Sequence, residues 1–196
     1  MQDSRQLRTD ILARRDQIAP ETRGRKSQTI GESLLALPEI DAATTIFIYV
    51  SFRSEVATLP IIAELLKRKK TVTVPLTMTA ENRLEIVAIT DPARELVPGY
   101  CAIPEPTPEH ARQHAVDPGR IDLIILPGSV FDTRGGRYGY GGGYYDRLLE
   151  QVPGAGRIAL AYEVQMVERL ELQPHDQLLD RIVTEERIIT VDSRNG

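Results

Sequence analysis

Residues 46–74 read IFIYVSFRSEVATLPIIAELLKRKKTVTV, and the fold is decided there. Ile46–Val50 is a short apolar, β-branched and aromatic run, the composition of a strand buried on both faces. A polar segment, Ser51–Glu55, follows. Leu59, Ile62, Ala63 and Leu66 then recur at i, i+3, i+4 and i+7, the period of a helix with one apolar face. Thr71–Val74 returns to strand chemistry. Strand, helix, strand implies a right-handed crossover between parallel strands.

The pattern extends outward in both directions. Upstream, residues 4–18 form a helix, with Leu7, Ile11 and Ile18 on one stripe and Arg8 and Arg15 beside it. Pro20 suits the first turn of a second helix. Ile30, Leu34 and Leu37 give that helix an apolar face, and Pro38 ends it. Downstream, Leu84–Ile89 is a strand. Residues 91–120, rich in Pro and His and without periodicity, form a long functional loop with short helical pieces. Ile121–Leu126 (IDLIIL) is the clearest strand of the chain. A glycine-rich loop and a helix from about 142 to 151 follow it. Ile158–Ala161 is a strand and Val164–Glu168 a short helix, and strands near 181–184 and 187–191 close the chain. The alternation predicts an α/β fold: a layered, mostly parallel sheet with helices on both faces. Residues 1–196 form a single domain, with 1–40 as a helical arm packed on the α/β core.

Composition narrows the function. Apolar residues are 41% and charged residues 27% of the 196, as in an ordinary soluble globule. No stretch approaches the roughly 20 apolar residues of a membrane span. The net charge of −4 argues against nonspecific nucleic-acid binding. One cysteine, Cys101, forms no internal disulfide, and no apolar leader opens the chain; both suit a cytoplasmic protein. Cys101 and the histidines His110, His114 and His175 lack zinc spacing, and Cys101 reads as a loop or packing residue. Residues 1–26 carry seven Lys/Arg against four acids, either a solvated helix face or an anion-facing arm.

The chemistry concentrates in Leu126–Asp146, LPGSVFDTRGGRYGYGGGYYD. Six of the fourteen glycines fall between Gly135 and Gly143, and four of the seven tyrosines between Tyr138 and Tyr145. The loop leaves the C-terminal end of a parallel strand, where open α/β sheets bind ligands. It runs into a helix N-terminus, whose free N–H groups and dipole favour anions. Glycines allow close backbone approach to phosphates, and Arg134 and Arg137 can add charge-assisted bonds. It is neither a Walker loop, which needs Gly-Lys-Ser/Thr, nor GxGxxG, whose sixth position here is Tyr144. Asp146, in the first turn of the helix, either complements the dipole or binds magnesium beside phosphates.

The pattern PG..FD..G.R.GYGGGYYD over Pro127–Asp146 resembles the 5-formyltetrahydrofolate cyclo-ligase (methenyltetrahydrofolate synthetase) family. Tyr49–Thr58 (YVSFRSEVAT), Ile103–Pro106 (IPEP) and His175–Ile189 (HDQLLDRIVTEERII) extend the match over nearly the whole chain. The resemblance implies a carbon–nitrogen cyclo-ligase of folate one-carbon metabolism, with ATP as co-substrate and Mg²⁺ as cofactor. It would convert 5-formyltetrahydrofolate to 5,10-methenyltetrahydrofolate, releasing ADP and phosphate.

The resemblance also implies residue roles. ATP would be held by Arg5, Arg8, Arg137, Tyr138, Gly139, Tyr140, Gly141, Gly142, Gly143, Tyr144 and Tyr145. Folate would touch Val50, Glu55, Tyr140, Gly141, Gly142, Gly143 and Tyr144. Arg137 and Tyr144 would be the catalytic pair, and Asp146 and Asp180 the metal ligands. The family often places a lysine where Ser4 stands here, and Arg5 is the neighbour that could replace it, although the two cations bind phosphate differently. The partners expected are small molecules, without nucleic acid or membrane, and the chain is expected to be monomeric. Two other readings stay open: a non-catalytic folate- or nucleotide-binding homologue, and an ATP-dependent ligase with another formyl or amide substrate. Taken alone, Glu55 reads as a helix-start acid, Asp180 as a turn residue, Tyr145 as a core aromatic and His175 as structural.

Overall fold

The structure, a computed structural model, describes residues 4–173 and 176–191, so His175 lies outside the described residues. Three helices open it: α1 (Ser4–Asp16), α2 (Pro20–Leu35) and α3 (Pro38–Ala42). Then come β1 (Thr45–Ile48), α4 (Leu59–Lys67), β2 (Thr71–Met78) and β3 (Arg83–Ile89). An insertion holds α5 (Pro92–Glu95), β4 (Leu96–Pro98), β5 (Pro104–Pro106) and α6 (Pro108–His114). The second half runs β6 (Leu123–Leu126), β7 (Val130–Asp132), β8 (Arg137–Tyr138), α7 (Tyr144–Gln151), β9 (Gly156–Leu160), β10 (Met166–Val167), β11 (Arg181–Val183) and β12 (Ile188–Thr190).

Seven strands make the central sheet, in the order β12-β11-β9-β6-β1-β2-β3. The five inner strands are parallel and each edge strand is antiparallel to its neighbour, so the α/β expectation holds. The register Ile46↔Leu123 and Ile48↔Ile125 places β1 beside β6 at the centre. Alternate residues of these strands point to opposite faces. Ile46, Ile48 and Ile125 pack with Ile30 and Leu34 of α2 and Ile62 and Leu65 of α4. Phe47, Ile124 and Leu126 pack with Leu148 and Leu149 of α7 on the other face.

The chain leaves β1 through α4 toward β2, and leaves β6 through α7 in the opposite direction toward β9. The C-terminal ends of β1 and β6 therefore flank a topological switch point, where such sheets leave a crevice. Both the Ser51–Glu55 segment and the glycine loop start there.

Several local expectations are corrected. The buried stripe of α4 is Ile61, Ile62 and Leu65, whereas Leu59 is 46% exposed. Leu59 is the first helical residue, with Pro60 beside it in the first turn, and the buried stripe is shifted by one position from the one that periodicity suggests. Pro38 opens α3 after α2 has ended at Leu35. Residues 91–120 contain a short antiparallel pair, β4 with β5, as well as helical pieces. Val164–Glu168 is a 3-10 turn, Glu163–Gln165, leading into β10.

A second, three-stranded sheet, β10-β7-β8, shapes the glycine loop and was not legible in the sequence. Asp132 holds it together. This fully buried carboxylate accepts the N–H groups of Arg134 (3.0 Å), Gly136 (2.8 Å) and Leu170 (2.9 Å), and the Arg134 guanidinium at 2.6 Å. Burial pushes its pKa up, but the Leu170 N–H, Arg134 and the Gly136 N–H outweigh burial and hold it below the usual carboxylate range.

Asp132→Ala strands several buried donors and should lower unfolding stability at pH 7 by about 3 kcal/mol in urea titrations. Because the folded pKa is depressed, this contribution is complete above the unfolded value of about 3.9 and is lost as pH falls through the folded one. The gap between wild type and variant should therefore narrow in acid.

Candidate active site

A cavity of about 1100 Å³ opens at the switch point. Ligand pockets commonly measure roughly 300–1,000 Å³, so this one stands at the top of that range. Its walls include α1 (Ser4, Arg8, Arg15), the β1–α4 loop (Val50, Phe52, Glu55), β2 (Pro75, Thr77), the β4–β5 pair and its turn (Tyr100, Cys101, Glu105), the glycine loop from Arg137 to Asp146 and the segment holding Glu171 and Gln173.

The glycine loop enters α7 through Gly143, whose φ of 66° lies in the left-handed region that favours glycine, with the Arg147 guanidinium beside it. No side chain caps α7. Among the described residues, the N–H groups of Gly141, Gly142 and Gly143 have no hydrogen-bond partner, and they lie where a helix start attracts anions. Arg147 fixes the outside of the turn by donating to Gly142 O at 2.6 Å and Asn82 O at 2.6 Å.

Arg137, only 6% exposed, donates to Asp146 Oδ1 at 2.5 Å and to Pro127 O at 3.3 Å. Its buried Nε has no hydrogen-bond partner. Its guanidinium lies 5.9 Å from the ring centre of Tyr145. Tyr145 also packs edge-on against Phe47 at 6.5 Å, so it is at once a core aromatic and a cavity wall. Burial raises its phenol pKa well above the ordinary value. Tyr144 faces Tyr100 at 6.4 Å across the rim.

Glu55 is the acidic counterpart. Its Oε1 accepts the Tyr140 hydroxyl at 2.5 Å and its Oε2 the Phe52 N–H at 2.9 Å. Burial raises its pKa, and the Tyr140 and Phe52 donors and the Arg15 charge offset part of that rise. Val50, 3% exposed, adds an apolar wall beside it.

The structure thus brings Arg8, Val50, Glu55, the Arg137–Tyr145 run and Asp146 to one cavity. Three residues fall elsewhere. Arg5 is exposed and does not line the cavity; Ser4 does. Successive helix residues point about 100° apart, so Arg5 is turned away from the side that Ser4 and Arg8 present. Arg134 is committed to Asp132 and to Leu170 O. Asp180 sits at the N-terminal end of β11, where its Oδ2 accepts the Arg157 N–H at 2.7 Å. Through the strand register Asp180 is level with Ile124, roughly 10 Å along the strands from Pro127. It is therefore not brought to Asp146.

Other residues of the wall were not singled out. Arg15 and Glu105 are both buried, at 5% and 3% exposure. Arg15 follows Arg8 by seven residues and shares its helix face, a signal the sequence does carry. Glu105 accepts the Thr77 hydroxyl and the Tyr100 N–H, pairings between segments that only folding joins. Cys101 is an exposed rim residue of the cavity.

Comparison with known proteins agrees with this architecture. The family model described as the 5-formyltetrahydrofolate cyclo-ligase family matches residues 1–185. The mouse 5-formyltetrahydrofolate cyclo-ligase is 29% identical over 189 residues, covering 93% of each chain. That of Escherichia coli K12 is 29% identical over 180 residues, covering 91% of this chain and 98% of its own. The solution structure of 5,10-methenyltetrahydrofolate synthetase from Aquifex aeolicus superposes with a TM-score of 0.84 at 32% identity, over 98% of this chain and 95% of that one. The match spans the switch-point sheet and the glycine loop together, and so this chain belongs to the 5-formyltetrahydrofolate cyclo-ligase family.

Proposed function

We propose that this protein closes 5-formyltetrahydrofolate to 5,10-methenyltetrahydrofolate while cleaving ATP to ADP and phosphate. The observation that carries this reading is the shared cavity. Unpartnered loop amides, Arg8 and the Arg137–Asp146 pair line one space with the Glu55 carboxylate and the apolar Val50. An anion site and a carboxylate site in one cavity suit a phosphate donor and a nitrogen-rich acceptor held together.

The reaction needs the phosphate because the oxygen of a formamide is a very poor leaving group. The formyl oxygen attacks the γ-phosphorus and ADP leaves. N10 then attacks the formyl carbon, the ring closes, and phosphate departs as N10 gives up its proton. Positioning and charge stabilisation dominate phosphoryl transfer. In this reading Gly139–Gly143 and Tyr138 cradle the phosphates, and Arg8 and Arg137 add positive charge. Tyr140, Tyr144 and Tyr145 border nucleotide and folate. Glu55 and Val50 contact the folate, with Glu55 as acceptor for its N–H groups. In the same reading Arg137 and Tyr144 are the pair that acts at the transfer, the role the resemblance implies for them.

Magnesium fits the residues present as a nucleotide chelate. Among the described residues, no group of three His, Cys, Asp or Glu could hold a metal. Asp146 alone, beside phosphate oxygens, matches magnesium's preference for one or two carboxylates plus phosphates. Asp180 is not included in the proposed site. The ion would neutralise charge on the phosphates. The reading also takes the protein as a cytoplasmic monomer, and no helix among the described residues is long and apolar enough to cross a membrane.

Purified protein with Mg-ATP and 5-formyltetrahydrofolate should develop the near-ultraviolet absorbance of the methenyl product with matching ADP release. Tight folate binding without turnover would instead support the non-catalytic reading. Asp146→Asn keeps an oxygen for Arg137 while weakening a metal ligand. It should lower kcat by about 100-fold or more with a melting temperature near wild type; full activity would remove Asp146 from the metal site. A third outcome concerns pH. Because burial raises the Glu55 pKa, Glu55 protonates as pH falls while ordinary glutamates, near 4.3, are still charged. The KM for folate should therefore rise on the acid side above that range, and Glu55→Gln should show a high, flat KM there.

A further inference from the structure

Arg15 is buried at 5% exposure, and a buried guanidinium needs partners. Its Nε donates to Ser54 Oγ at 3.0 Å, in the β1–α4 loop. Its Nη1 donates to the Tyr140 hydroxyl at 2.8 Å, in the glycine loop. Ser54 in turn donates to Asp16. One side chain of α1 thus bridges the two loops that leave the switch point. Arg8, two helical turns earlier, lies 5.8 Å from the ring centre of Tyr138, and Arg15 lies 5.8 Å from that of Tyr140.

Packing does not fix Tyr140. The residue is 50% exposed and is followed by Gly141, whose φ of 97° lies in the region that favours glycine. Hydrogen bonds set its hydroxyl. Arginine only donates, so the Tyr140 oxygen accepts from Arg15 and its one proton goes to Glu55 Oε1 at 2.5 Å. Phe52 N–H occupies Oε2. Each Glu55 oxygen then has one donor and a lone pair to spare.

We propose that Arg15 is a positioning residue of the substrate site: it sets the Tyr140 hydroxyl and, through it, aims the Glu55 carboxylate at the folate, which makes the arm helix α1 part of that site. The inference rests on the cyclo-ligase reading. The Arg15 charge also favours the ionised form of Glu55. Lysine at this position supplies charge but not a planar fork reaching Ser54 and Tyr140 together.

The test is calorimetric binding of 5-formyltetrahydrofolate in the absence of ATP, with Mg-ATP titrated separately. Arg15→Gln and Tyr140→Phe should each weaken folate binding by about 10-fold, and the double variant also by about 10-fold, since both break one chain of bonds. Mg-ATP binding to Arg15→Gln should change less than about 3-fold. Arg15→Lys, which keeps the charge, should recover part of the loss and guards against a variant that fails to fold. A double variant weakened by about 100-fold, the additive result, would overturn the positioning role, because a purely structural arginine acts independently of Tyr140. Unchanged folate binding by Arg15→Gln would overturn it equally. Wild-type protein that takes no 5-formyltetrahydrofolate would instead overturn the functional reading, and the role of Arg15 with it.

Discussion

Two central strands whose connections depart in opposite directions set up everything else in this molecule. β1 feeds α4 and β2 on one side, and β6 feeds α7 and β9 on the other. A parallel sheet needs long crossovers, and crossovers that diverge leave the strand ends between them uncovered. The crevice is thus a by-product of connectivity. Its walls are the segments that follow β1 and β6, and those segments carry Glu55 and the glycine loop. Further walls come from the arm helix, from β2, from the insertion after β3 and from the segment around Glu171 and Gln173.

Charge is distributed across that crevice in a defined way. Arg137 is almost fully buried and neutralised mainly by Asp146. Such a pair contributes little net stability, because desolvation offsets most of the attraction. It is better understood as pre-set chemistry: a buried guanidinium and a carboxylate held beside the same loop amides. Glu55 has a similar arrangement on the other side, with Tyr140 and Phe52 as donors and Arg15 behind them. Asp132 lies away from the cavity and acts on it indirectly, by fixing the hairpin from which the glycine loop springs.

The legible part of the site consisted of residues whose place at the cavity follows from neighbours in sequence. Val50 and Glu55 stand just beyond a strand end. Arg137 to Asp146 form a run of glycines and tyrosines leading into a helix. Arg8 lies on the face of an amphipathic helix. Their positions could be read because strand ends and helix starts have local signatures. Arg5, Arg134 and Asp180 show the limit. Arg5 neighbours Ser4, yet helical rotation turns it away from the cavity. Arg134 sits in the glycine loop, yet Leu170 and Asp132 claim it. Asp180 lies in a segment resembling the family, yet it opens β11 at the far end of the strands.

The amino-acid order by itself determined the alternation of strand and helix, the parallel core and the presence of a glycine-rich loop running into a helix, because each depends on periodicity or on backbone freedom within a few residues. Tertiary structure alone decided which polar groups meet. The three-stranded sheet around Asp132, the Arg15–Tyr140–Glu55 chain and the buried Glu105 join segments far apart in sequence. A strand of two or three residues has too little periodicity to announce itself. A hydrogen bond between remote side chains exists only once packing has brought the two backbones together and excluded the water that would otherwise satisfy them.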